Sequence, residues 1–137
     1  MFVLTLVGGN ESTRTVIAHG MRLLMENPEQ LQFLVDNPDR IADACEEILR
    51  YITAFIAMRR TAMQDVELAG QQIRKGDKIL LHYHAVNHDE KVFGEDAMRF
   101  DVRRAERMPE LYNELRSFGI GQQVVEKPLH GPHRCAV

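Results

Sequence analysis

Cysteine is scarce in this sequence: Cys45 and Cys135 are the only two among 137 residues. Two cysteines exclude a multi-bridge disulfide scaffold, and a reducing cytoplasm is the expected home. Long apolar runs are lacking as well. The longest early one, Phe2 to Val7, is far too short to span a bilayer, so no membrane partner is expected. Lys and Arg are scattered and the net charge is −3, which leaves no basic footprint for nucleic acid. No internal repeat or low-complexity tract divides the chain. What remains, with 45% hydrophobic and 27% charged residues, suits a globular piece with one modest core.

Helical signals come first. Residues 2–26 read as one helix on the apolar positions Val3, Leu6, Val7, Ile17, Met21, Leu24 and Met25, interrupted at Gly8-Gly9. Asn27-Pro28 and Asn37-Pro38 each place an N-cap residue before a proline at the first helical position. Gln30, three residues after Asn27, predicts a capping box. Ile41, Ala44, Cys45, Ile48, Leu49 and Ile52 then recur at helical spacing and form one apolar stripe, with Glu47 and Arg50 on the opposite face. Cys45 on that stripe reads as inert core.

After Tyr51 the texture turns to strands. Phe55 to Ala62 is one candidate. Val66-Glu67-Leu68, Ala69-Gly70 and Gln71-Gln72-Ile73 read as a tight hairpin, and Lys75-Gly76-Asp77 turns the chain into Ile79-Leu80-Leu81. From Asn87 to Cys135 the pattern predicts a long loop, uncommon in a compact domain and usually functional. The fold class is therefore α+β, mainly helical with short antiparallel strands, in one piece.

Three strings stand in one order: Gly8-Gly9-Asn10-Glu11-Ser12, then Glu47-Ile48-Leu49-Arg50, then Phe118-Gly119-Ile120-Gly121 followed by His133-Arg134-Cys135. Ala85-Val86-Asn87-His88-Asp89 and the stretch from Arg60-Thr61-Ala62 to Gly70 add to them. In that order and spacing the sequence resembles the C-terminal part of a soluble bacterial cytochrome P450. The resemblance runs through nearly the whole chain. It implies that residues 1–137 form a partial domain of that fold, without its N-terminal portion and without the helix that follows the cysteine. Ten residues, Gln123 to Pro132, separate the glycine string from His133, where the family's motif is continuous.

The resemblance also implies a site. Cys135 would supply the thiolate to the iron of haem b, with Phe118, Gly119, Gly121 and His133 around the cofactor. Arg60 would pair with a haem propionate, to which a fork of N–H donors is suited. Arg59 is its neighbour on the opposite strand face, which leaves the choice open by one residue. Glu11 and Ser12, beside a groove opened by Gly8-Gly9, would act in series to deliver protons for splitting bound dioxygen. Ser12 stands where the family usually has Thr. Glu47 and Arg50 would be buried and pinned by a third basic group, for which Arg99 in Ala97-Met98-Arg99-Phe100 is the candidate. Phe55 and Ile56 resemble substrate-contact positions, and they read equally well as core.

The implied activity is a monooxygenase acting on a small hydrophobic substrate with a ferredoxin-type electron donor. Oxygen insertion by this chain alone is not expected. Two other readings stay open at this point. One is a non-catalytic remnant without ligand. The other is a metal-binding module in which His82 and His84 share one face of a strand over 80–84, with His88, His130, His133 and Cys135 as further ligands.

Overall fold

The computed structural model describes residues 2–119. Helix α1 (Phe2–Glu26) runs unbroken through Gly8 and Gly9, where the sequence predicts an interruption. A glycine costs a helix about 1 kcal/mol against alanine but imposes no steric bar, so the flanking turns carry it through. Gly20 has a different role. A Cβ placed there would lie 2.9 Å from Ile48 Cγ2, so the bare backbone lets α1 press against α3 (Ile41–Ile52). Gly20→Val should therefore push the two helices apart and cost about 1–3 kcal/mol, read as a lower urea midpoint. An unchanged midpoint would show that the contact is slack.

Both Asn-Pro pairs open helical segments: α2 (Pro28–Asp36), and a 3₁₀ turn (Pro38–Arg40) leading into α3. The capping box does not form. Asn27 Nδ2 donates back to the Leu23 carbonyl at 2.8 Å, and Asn37 Nδ2 to that of Phe33 at 2.9 Å. Each asparagine thus closes the helix before it, where end carbonyls lack partners, and leaves the next start to proline. Gln30 is drawn elsewhere: it accepts from Val102 N–H at 2.9 Å and donates to the Phe100 carbonyl at 3.1 Å. That double bond ties α2 to a segment 70 residues away.

Thr53 ends α3 in the left-handed region at φ 44°, its hydroxyl donating to the Arg50 carbonyl at 2.7 Å. Two antiparallel ladders follow. β1 (Met58–Thr61) pairs with β4 (Lys78–Leu81), Arg60 opposite Ile79. β2 (Val66–Leu68) pairs with β3 (Gln71–Ile73) across Ala69-Gly70, both at positive φ as a two-residue hairpin turn requires. The expected strand from Phe55 begins only at Met58, because the left-handed turn at Thr53 redirects the chain. The Ile56 carbonyl then accepts from His84 N–H at 3.2 Å. The expected strand over 80–84 is likewise cut short. His82 Nδ1 accepts from Ala85 N–H at 3.0 Å and caps α4 (Tyr83–Asn87).

Beyond Asn87 the expected loop is a packed region with short turns of helix: α5 (Glu90–Phe93), α6 (Arg104–Arg107) and α7 (Leu111–Glu114). Its apolar residues feed two core clusters. Phe100 and Val102 join Leu23, Leu24, Leu34 and Ala44, whereas Phe93, Ala97, Leu111 and Leu115 form a second cluster against Leu49. Helix α3 lies between them, and this placement buries its polar face. Glu47 and Arg50 are 0% exposed, while Ile41 on the apolar stripe is 49% exposed. The stripe is partly buried, with Ala44 1% exposed and Ile48 and Ile52 packed on the first cluster, while the segment after Asn87 wraps the charged face.

Candidate functional site

Arg50 sits at the centre of the most buried polar region described. Its Nε and Nη2 donate to the two Glu47 carboxylate oxygens at 2.7 and 2.9 Å. Nη1 donates to the carbonyls of Asn87 and Ala97, both at 2.7 Å, and Nη2 reaches the Arg99 carbonyl at 3.1 Å. A guanidinium has five N–H donors, and these bonds use all five.

The third basic group is Arg104, not Arg99. Arg104 Nε lies 3.1 and 3.2 Å from the Glu47 oxygens. Its Nη1 donates to the Phe93 carbonyl and Asp96 Oδ1, each at 3.1 Å. Its Nη2 donates to the carbonyls of Asp96 and Arg99 at 2.9 and 2.8 Å. Arg99 enters only through its carbonyl, and its side chain is exposed. Glu47 also accepts the Asp101 N–H at 3.0 Å. Burying charge is tolerable only with partners for every donor and acceptor, and the two guanidinium groups here meet that condition. Arg104 stands 57 residues from Glu47, a distance with no local sequence signal. A fully buried carboxylate demanding a second guanidinium was the available clue.

The rim of the network carries the titrating groups. Burial opposes ionisation of Asp96, but the Arg104 hydrogen bond and the Arg104 and Arg107 charges outweigh it and hold its carboxyl low. Burial likewise opposes ionisation of Asp101, and its bonds to Arg107 and the Arg103 N–H prevail. Two histidines behave in the same sense. Burial, then the His82 and Arg50 charges, push His84 down. Burial pushes His88 down against its hydrogen bond to the His84 carbonyl, helped by His84, Arg50 and Arg104. All four groups have lower pKa values folded than unfolded. Their contribution to stability is complete above the unfolded values and fades as pH falls. We expect the urea midpoint to decline in two steps: below about pH 6.5, where unfolded histidines take up protons, and again below about pH 4 for the aspartates. A midpoint flat from pH 7 to 5 contradicts the histidine step.

The other expected site residues are spread over the fold. Glu11 is exposed and its carboxylate is held by Arg14 Nη2 at 2.8 and 3.0 Å; Ser12 is half-buried. A Cβ at Gly8 or Gly9 would meet nothing within 4 Å, so that helix face is open. Arg60, on β1, is half-buried and donates to the Arg59 carbonyl at 3.1 Å; Arg59 is exposed. Phe55 is half-buried and Ile56 is 59% exposed. Phe118 and Gly119 are half-buried, and Gly119 holds φ 86°, a conformation that favours glycine. Gly121, His133, Cys135 and the Gln123 to Pro132 stretch lie outside the described residues.

A haem would find a matching donor set in part: the Arg60 guanidinium for a carboxylate, the open Gly8-Gly9 face for a flat ring, and the left-handed turn at Gly119. Of the residues in the metal-module reading, His130, His133 and Cys135 lie outside the described residues. His82 is turned to cap α4, and among the described residues no three His, Cys, Asp or Glu side chains cluster as metal ligands. No helix among them is long and apolar enough to cross a membrane.

The family model for cytochrome P450 matches residues 41–121, which include the whole Glu47–Arg50–Arg104 network. Linalool 8-monooxygenase from Pseudomonas putida is 48% identical over 101 residues, covering 74% of this chain and 25% of that relative. Steroid C26-monooxygenase from Mycolicibacterium smegmatis is 42% identical over 103 residues, covering 75% and 23%. The solved structure of cytochrome P450-153 from Novosphingobium aromaticivorans is similar at a TM-score of 0.80 and 36% identity, covering 90% of this chain and 30% of that one. The chain thus spans about a quarter of the length of the curated relatives it matches. Fold, sequence and the helical, short-stranded architecture agree on one conclusion: the chain belongs to the cytochrome P450 family.

Proposed function

We propose that residues 1–137 are the C-terminal, haem-holding part of a monooxygenase. That enzyme would insert one oxygen atom of O2 into a small hydrophobic substrate, with electrons from a ferredoxin-type donor in the cytoplasm. One observation carries the reading: the completely buried Glu47–Arg50–Arg104 network lies inside the span that matches the family. The two relatives described above are named for oxygenation of linalool and of a steroid, and these support a hydrophobic substrate.

Haem b, when bound, supplies the iron at which O2 is activated. The chain's own residues would do the rest. Cys135 would hold the iron as a thiolate. Arg60 grips a propionate with its N–H fork. Phe118, Gly119, Gly121 and His133 line the cofactor, and Phe55 and Ile56 touch substrate. Ser12 holds a proton on its hydroxyl, and Glu11 resupplies it from the exposed helix face, help typically worth about 10²–10⁴-fold.

The test is to add haem to the purified 137-residue chain and record the reduced carbon monoxide adduct alongside zinc content. A thiolate-type adduct without zinc is expected. Stoichiometric zinc and no such adduct would contradict the proposal.

A further inference from the structure

Asn87, at the end of α4, is completely buried, and neither the sequence motifs nor the proposed chemistry gives it a task. Its Nδ2 donates to Thr53 Oγ1 at 2.9 Å and to Ser117 Oγ at 2.8 Å. Its Oδ1 accepts the Arg116 N–H at 2.9 Å, and its backbone carbonyl accepts Arg50 Nη1 at 2.7 Å.

The two hydroxyls make this arrangement directional. Thr53 donates its proton to the Arg50 carbonyl at 2.7 Å, and Ser117 donates its own to the Leu49 carbonyl at 2.9 Å. A hydroxyl has one proton, so both oxygens can only accept from Asn87. The NH2 group must face them and Oδ1 must face the Arg116 N–H. A flipped amide would set oxygen against two acceptors and NH2 against a donor. Aspartate fails for the same reason, since it has no donor for the hydroxyls when ionised.

One amide thus joins three pieces: the C-terminal end of α3, the end of α4, and the backbone leading into Phe118 and Gly119. The Gly119 N–H bonds the Arg116 carbonyl at 3.0 Å, so holding Arg116 holds the turn. We propose that Asn87 is a positioning residue that fixes the Arg116–Gly119 turn on the end of α3. It thereby holds Phe118 and Gly119, the residues proposed to line the cofactor, in place, a consequence that rests on the haem-thiolate reading.

Amide exchange on the full 137-residue chain tests this. Asn87→Ala should speed exchange at Arg116 and Gly119 about tenfold or more, while the amides of Leu23 and Leu24 in α1 stay protected. Asn87→Asp should not restore the turn. If Asn87→Ala does not fold, Ser117→Ala and Ser117→Thr decide: loss of the hydroxyl loosens Arg116 and Gly119, and threonine, which keeps it, does not. Exchange unchanged at those amides, or raised equally in α1, overturns the clamp. A haem titration then reads the consequence. Weaker haem uptake by Ser117→Ala than by the native chain supports it, and equal uptake overturns it. A native chain that takes up no haem contradicts the proposed function, and the exchange result still decides the clamp.

Discussion

Glu47→Ala is expected to leave most of the chain unfolded in water. The substitution strands two guanidinium groups, Arg50 and Arg104, with side chains 0% and 1% exposed. Breaking a buried pair costs about 3–5 kcal/mol for one stranded charge. A typical domain holds only about 5–15 kcal/mol in total. Arg104→Ala should cost a similar amount, since it unpairs Glu47 on one side and removes the side-chain donor to the Phe93 carbonyl. Arg99→Ala should stay within about 0.5 kcal/mol, because only its carbonyl takes part. Urea unfolding followed by circular dichroism measures all three. Equal damage from Arg99→Ala and Arg104→Ala would contradict the described network.

Local signals and long-range contacts left different marks on this sequence. Asn27-Pro28 and Asn37-Pro38 announced their helices because proline at a first turn is a local fact. The asparagine side chains were misplaced because each had two helix ends within reach and closed the earlier one. The Ala69-Gly70 hairpin was legible, since a two-residue turn leaves its mark in sequence. The region after Asn87 was not. Its order comes from carbonyls gathered around Arg50 and Arg104, and such bonds impose no period on the chain. Glu47 and Arg50 were visible one turn apart, whereas Arg104, Asn87, Thr53 and Ser117 meet them only in the folded state. The family was legible from ordered strings that need no contact map.

Oxygen insertion by the chain on its own is expected to be absent. The chain spans about a quarter of the length of the curated relatives it matches, too little to enclose haem and substrate together. Gln123 to Pro132 also separates the glycine string from His133-Arg134-Cys135. The added loop length matters little entropically, about 0.6 kcal/mol per doubling, so haem ligation can persist where turnover does not. Residues 1–137 supplied with haem and a ferredoxin-type donor should oxidise neither a fatty acid nor a steroid. Turnover at about 1 s⁻¹ or above would mean that this chain builds a complete haem pocket.

The ligand itself is the most direct test of the account. Haem is titrated into the native chain and into Cys135→Ser, and the reduced carbon monoxide spectra are compared. A thiolate-type spectrum is expected in the native chain and its complete loss in Cys135→Ser, with far-ultraviolet circular dichroism unchanged. A thiolate-type spectrum that survives in Cys135→Ser would contradict it.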